Sequence, residues 1–372
     1  SFGNGTTLGK TPPAGGKIVV EYLAVNGAAA DNALIFEPTS TIKITDNVNR
    51  TPVVTTYTKS AGGGEKESIE SMRKNAPFQY ATQNRMVTFA DYESLILRNY
   101  STLIKDISSW GGEDNLKPEF GVIFSSIVFE DNISAARQAV TKTGIQDLAA
   151  QLGVATFDIK FTDPVKTFVE TEVFFRFNPA LTTLSVNTIQ ENVRNVVNKY
   201  FEDNTGKFNL AFRRSNLLTL VDDVSPAVLS SRAEIKMQQR FAPSLLVEQD
   251  HNFKFPVEIA SPDDVNFRIT SSTFTFKSQS CQVRNQLKSN KLQVVNLSTN
   301  KPIVDNVGSY NAAAGEVNIT GLQVDAIVGG GNSIKLAVVP ANQSVIRPQR
   351  EYILEHDQAR STARAVDTDA DY

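Results

Sequence analysis

The chain has 372 residues, 41% of them hydrophobic and 21% charged, and its 37 basic and 40 acidic side chains leave a formal charge of −3. That balance provides no basic face for nucleic acid or anionic lipid, and no apolar run reaches the roughly 18 residues that a membrane-crossing helix needs. The single cysteine, Cys281, excludes a disulfide within the chain and a cysteine-based zinc site, and the two histidines, His251 and His356, are too few for a histidine-rich metal centre.

A length of this order corresponds to two or three domains. Phe is abundant (22 residues) and Trp occurs once. Phe and β-branched residues suit strands, while Ser, Thr and Asn suit turns and caps, so the expected class is a strand-rich α+β protein. Ser1 in place of Met reads as a processed chain or a fragment, and no signal-peptide pattern opens it.

Residues 1–61 read as a β-rich segment. The first sixteen are irregular. Residues 17–25 form a strand closed by the Asn26-Gly27 turn, and 41–45 and 53–57 are short strands. The run Gly62-Gly63-Gly64 marks a boundary. A helix is expected over 65–76, with Ile69, Met72 and Ala76 at helical spacing and Pro77 as its stop. A second helix begins at Thr88, where Thr88 and Asp91 fit a variant capping box and Tyr92, Leu95 and Ile96 share a face. Residues 102–107 and 120–129 read as strands around a loop at 110–118. A helix follows over 134–152, with Gly144 as a candidate break and Gly153 as its stop.

Residues 154–161 alternate, with Phe157, Ile159 and Phe161 inward. Residues 165–177 do the same with Val169, Val173, Phe175 and Phe177. Thr188 and Glu191 form a capping box, and Ile189, Val193, Val196, Val197 and Tyr200 make an apolar helical stripe. A shorter helix over 215–223 stops before Ser225-Pro226, and 228–237 is the next strand. This order makes 62–241 an α+β core. Five short β-like runs separated by turns (253–259, 267–276, 292–297, 316–319 and 334–339) make 242–345 an antiparallel β domain. Residues 346–372 read as a polar tail, disordered or partner-binding.

A search for assembled chemistry finds no catalytic, cofactor-binding or metal-binding residue. Residues 4–11, Asn-Gly-Thr-Thr-Leu-Gly-Lys-Thr, approach a phosphate-binding loop. However, Asn4 stands where Gly is required, no strand precedes it, and Pro12-Pro13 follows where the helix should open. The adjacent acids Glu113-Asp114, Glu202-Asp203, Asp222-Asp223 and Asp263-Asp264 fall in turns or at helix ends and read as solvated. Neither histidine sits in a nucleophile-elbow sequence. Cys281 reads as a small packed residue, and Arg73-Lys74 and Arg213-Arg214 as solvated faces or interface ion pairs. A chain without assembled chemistry fits a component of a larger assembly.

The stretch 62–96 resembles the baseplate J-like family of contractile-tailed phages and related injection machines. The positions that carry the resemblance are Glu67, Ser68, Arg73, Ala76, Pro77, Arg85, Val87, Thr88, Asp91, Tyr92 and Glu93. The element order through Val228 also fits, although Ala227 stands where the family often has Gly. The resemblance implies a structural virion protein of the tail baseplate. It would form homodimers and join other wedge proteins in a ring around the central hub, without cofactor, nucleic acid, membrane or small-molecule substrate. The motif residues Glu67, Arg73, Pro77, Arg85, Thr88, Asp91 and Tyr92 are read as a folding signature, with Arg73 and Arg85 expected to pair with acids. A tail-associated glycan hydrolase, or a receptor- or glycan-binding module on the C-terminal β domain, is the alternative.

Overall fold

The computed structural model describes residues 69–366 apart from 116, 155 and 330, together with parts of the stretch 11–56. The chain divides into two compact units, residues 1–75 with 101–103, and residues 76–100 with 104–372. In the first unit, β1 (Ile42–Lys43) and β2 (Asn49–Arg50) form an exposed antiparallel pair. Residues 53–56 are extended without strand pairing. The Gly62–Gly64 run, Glu67, and most of the strand expected over 17–25 lie outside the described residues.

Helix α1 (Ile69–Ala81) contains Pro77 in its interior. The expectation that Pro77 ends the helix is therefore corrected. Proline withdraws one N–H, and the chain winds on for four residues. The stop comes instead from Gln83 and Asn84, both left-handed (φ 47° and 59°), where amide-bearing side chains tolerate that backbone region.

In the second unit, α2 (Phe89–Tyr100), β3 (Ile104–Gly111), β4 (Val122–Phe129), α3 (Ala135–Leu152) and β5 (Asp158–Thr162) form one layer pair. The sheet order is β3-β4-β5, antiparallel then parallel, with α2 packed on β3 and α3 on β5. Trp110, expected in a loop, lies inside β3 with 6% exposure. Gly144 does not break α3. It makes room for a neighbour, because a Cβ there would lie 2.7 Å from the Tyr100 hydroxyl. Ile159 of β5 is buried, but Phe157, expected inward, lies just before the strand and is exposed.

The larger body begins with β6 (Val165–Phe177), α4 (Val186–Asn204), β7 (Phe212–Arg213), α5 (Arg214–Asp222) and β8 (Val228–Phe241). There follow β9 (Gln249–Lys254), β10 (Ile269–Ser271), β11 (Phe274–Phe276), β12 (Gln279–Asn285), β13 (Leu292–Asn296) and β14 (Pro302–Val304). The series ends with β15 (Gly308–Asn311), β16 (Glu316–Leu322), β17 (Ala326–Ile327), β18 (Ile334–Val338), β19 (Val345–Ile346), β20 (Tyr352–His356) and β21 (Thr362–Val366). Eleven of these strands share one sheet along the path β14-β13-β12-β10-β18-β8-β6-β20. In addition, β11 pairs with β12 and β17, and β21 pairs with β6. A smaller sheet, β15-β16-β9, lies beside it in sequence order.

Strand β6 alternates as its sequence predicts. Val169, Val173 and Phe175 are fully buried, and they join Ile189, Val193, Val197, Tyr200 and Phe201 of α4 and Leu217 and Val221 of α5 in one core. Burying each such side chain contributes roughly 1.5–3 kcal/mol. Helix α4 starts one turn earlier than the Thr188–Glu191 pattern suggests. Ser185 is the cap and accepts from Thr188 N at 3.2 Å, while Glu191 pairs with Arg194.

The sheet runs unbroken past residue 241, since β18 pairs with β8 from Ile334↔Phe241 to Val338↔Met237. Two stretches of the segment read as a polar tail are also in the sheet. Strands β20 and β21 lie parallel to the first and second halves of β6. Composition hides this because strands at a sheet margin need few apolar side chains: β20 buries Ile353 and Leu354, and β21 buries Ala363.

Candidate functional site

The described motif residues fall on α1 and on the start of α2. At the start of α2, the Thr88–Asp91 box forms as expected. Asp91 Oδ2 accepts from Thr88 N at 2.8 Å and Val87 N at 3.2 Å, and Thr88 Oγ1 accepts from Asp91 N at 3.3 Å. Tyr92 is 2% exposed, and burial pushes its phenol pKa up. Arg85 donates to Gln83 Oε1 at 3.0 Å rather than to an acid. Arg73 and Pro77 are exposed on α1. The preceding loop is held by Met86, fully buried, whose N–H donates to Leu152 O at 2.9 Å.

Glu93, the next residue of the motif, carries a signal that spacing could not reveal. Its carboxylate accepts from Ser109 N at 2.7 Å and lies in the field of Asp106. Burial, reinforced by Asp106, pushes its pKa up to about 7. Asp106 itself accepts from Phe208 N at 2.7 Å. Neither acid lines the cleft around Asp263, Arg268 and Lys288 or the one around Asn198, Glu202 and His356.

The densest polar constellation was missed entirely in the sequence. It is built where β20 turns towards β21. Asp357 is 3% exposed, and its Oδ2 receives Lys335 Nζ at 2.6 Å, Gln238 Nε2 at 2.8 Å and Arg240 at 3.1 Å. Gln238 Nε2 also donates to Glu170, which Arg360 approaches at 3.5 Å. Burial works against the charge on Asp357, but the hydrogen bonds from Lys335 and Gln238 and the charges of Lys335 and Arg240 outweigh it. Its pKa is lowered. A buried carboxylate with three donors is the satisfied arrangement that such a group requires.

His356 and Ser361 lie within this turn, with Nε2 and Oγ 2.8 Å apart. The pair resembles half of a nucleophile–base couple, but its bonds are already assigned. Ser361 Oγ donates to Asp357 O at 2.9 Å and accepts from Thr171 N at 3.1 Å. The His356 ring stacks on Phe201, centroids 4.1 Å apart. Burial holds its pKa down to about 4, against the opposing charge of Asp357. The geometry is that of a tether fixing the 356–361 turn to β6.

The remaining candidates are also accounted for by local bonding. Asp263 accepts from Asn266 and Val265 N, which hold its carboxyl down to about 2. Asp203 pairs with Lys199 at 2.8 Å. Cys281 is fully buried, and burial raises its thiol. Among the described residues, no group of three or more His, Cys, Asp or Glu is placed to hold a metal ion.

Residues 166–240 match the family described as baseplate structural protein gp6, C-terminal domain III. That segment runs from the second residue of β6 to the penultimate residue of β8, so it supplies the two longest strands of the sheet, both core helices, and Glu170, Gln238 and Arg240 of the buried network. The similarity to that family is confined to this segment. The baseplate wedge protein gp6 of Enterobacteria phage T4 is 26% identical over 242 residues, covering 62% of this chain and 34% of the relative. The chain thus spans about a third of that relative's length. A cryo-EM structure of the anti-feeding prophage baseplate, 6-fold symmetrised, aligns with 15% identity and a TM-score of 0.30 over 50% of this chain and 43% of that one. A likeness of that size carries no weight here. The 62–96 motif, which resembles the J-like family, lies outside the matched segment.

Proposed function

We propose that this chain is a structural part of a contractile-tail baseplate wedge, located in the virion. It dimerises, joins other wedge proteins, and helps close a ring around the central hub that rearranges on infection. The observation that carries the reading is the match of residues 166–240 to gp6 C-terminal domain III, over the long β6–β8 pair of the eleven-stranded sheet. The tethered His356–Ser361 pair and the neutralised Asp357 network support a structural role, because each polar group serves another part of the fold. The J-like core over 62–241, the β region over 242–345, and candidate hinges at 62–64 and Ala242-Pro243 belong to the same proposal.

Light scattering behind size exclusion, over a concentration series, tests the dimer. Twice the monomer mass is expected, and a strict monomer at every concentration refutes dimerisation by this chain. Co-expression with the wedge proteins of the same phage tests the wedge role. A co-eluting complex is expected, and separate elution refutes it.

A further inference from the structure

Among the described residues, nine non-glycine residues adopt positive φ, and eight of them are polar or charged. The ninth is Leu246, at φ 63°. A left-handed conformation is unfavourable for an apolar L-residue, and such strain concentrates where function selects it. Leu246 is also 67% exposed, between Leu245 at 49% and Val247 at 51%. Three consecutive large apolar side chains thus stand in solvent on one turn.

That turn is held shut from both sides. Ser244 N donates to Gln249 Oε1 at 2.8 Å, and Gln249 Nε2 donates back to Ser244 Oγ at 3.2 Å. Leu246 N donates to Val324 O at 2.8 Å, anchoring the crest to the body of the β region. The apolar display is therefore preorganised, which removes most of the ordering cost of binding. The acids Glu248 and Asp250 follow it, both exposed, while the basic residues nearest in sequence, Arg240 and Lys254, are paired with Asp357 and Glu316.

We propose that the 244–249 turn is a docking knob that inserts into an apolar depression, rimmed by basic side chains, on a different protein of the assembly. The inference rests on the wedge reading and deepens it by naming one surface of attachment. Charge decides between the possible occupants. A second copy would bring the same acidic flank against this one about a two-fold axis, whereas a basic rim complements it.

The test uses the full chain co-expressed with the wedge proteins of the same phage, comparing Leu246→Gly, Leu246→Asp and Glu248→Lys with the parent. Glycine is the residue that the left-handed backbone prefers, so Leu246→Gly keeps or raises Tm while weakening the complex about tenfold, as loss of an interface anchor does. Leu246→Asp weakens it further, and Glu248→Lys weakens it severalfold with Tm unchanged. A fall in Tm for Leu246→Gly with the complex intact assigns the leucine to folding and overturns the proposal. Loss of a homodimer with the mixed complex intact overturns it in favour of a second copy. Tighter binding by Glu248→Lys overturns the basic rim. A parent chain that forms no mixed complex removes the wedge reading, and this surface with it.

Discussion

The guanidinium carbon of Arg240 lies 3.5 Å from the centre of the Phe168 ring, while the same side chain reaches Asp357 at 3.1 Å and donates to Gln238 Oε1 at 2.8 Å. One planar cation therefore stacks on β6 and satisfies the acid of the 356–361 turn at the same time. Lysine cannot do both, because its ammonium has neither the flat face nor the fork of donors. Arg240→Lys should lose about 1–2 kcal/mol of stability, read as a lower urea midpoint with an unchanged slope.

Removing the acid should cost more than removing any one of its donors. Asp357→Ala leaves Lys335 and Arg240, both partly exposed, without their shared counter-charge, and about 1–3 kcal/mol should be lost. Pairing it with Lys335→Met should restore part of that loss, because the stranded ammonium goes too. A double-mutant cycle by chemical denaturation measures the coupling, and strict additivity would contradict the network described above.

Acid should weaken the fold in two stages. His356 has its pKa lowered to about 4, so below about 6.5 the unfolded chain binds a proton that the folded chain refuses, and stability falls as pH drops from about 6.5 to about 4. Asp357, also lowered, contributes stability that is complete above its ordinary value near 3.9 and is lost as pH falls through its folded value. His356→Phe keeps a ring against Phe201 and removes the first titration. The Tm of the parent relative to that variant should fall between about pH 6.5 and 4 and stay level below, where Asp357 titrates in both.

Glu93 should act in the opposite sense. Its folded pKa of about 7 lies above that of the unfolded chain, so the fold favours the protonated form, and stability declines as pH rises from about 4.5 to about 7. Glu93→Gln removes that penalty while still offering Ser109 N an acceptor. A gain of about 1–3 kcal/mol is expected at pH 8 and almost none at pH 4.

Thr88→Ala removes one half of the box at the start of α2 and should cost about 1 kcal/mol. The loss should be local, seen first as faster amide exchange in the first turn of α2, because Asp91 keeps its bonds to Val87 N and Thr88 N.

The sequence was most legible where periodicity and capping act within a few residues. Strand β6 matches its expected bounds, the Thr88–Asp91 box forms, and Tyr92, Leu95 and Ile96 are buried together. It was least legible where the partner is distant. Nothing around Asp357 announces that Lys335, Gln238 and Arg240 will converge on it, since those residues come from two other strands. The sheet membership of 352–366 was hidden for the same reason: its apolar residues are few, and its partner strand lies far upstream. Local rules also misled at Pro77 and Ser185, where a breaker was tolerated and a nearer cap was chosen.

The parallel pairing of β6 with β20 and β21 orders events during synthesis. Thr171 and Ser361, joined by one hydrogen bond, are 190 residues apart in sequence. Until residues 352–366 have left the ribosome, one edge of β6 has no partner strand, and Phe201 has only Phe212 stacked on it and not His356. Contacts of such separation form late, and an open edge is a template for wrong pairing. The nascent chain therefore carries an open strand edge at the start of the 166–240 segment, and the last described strand closes it.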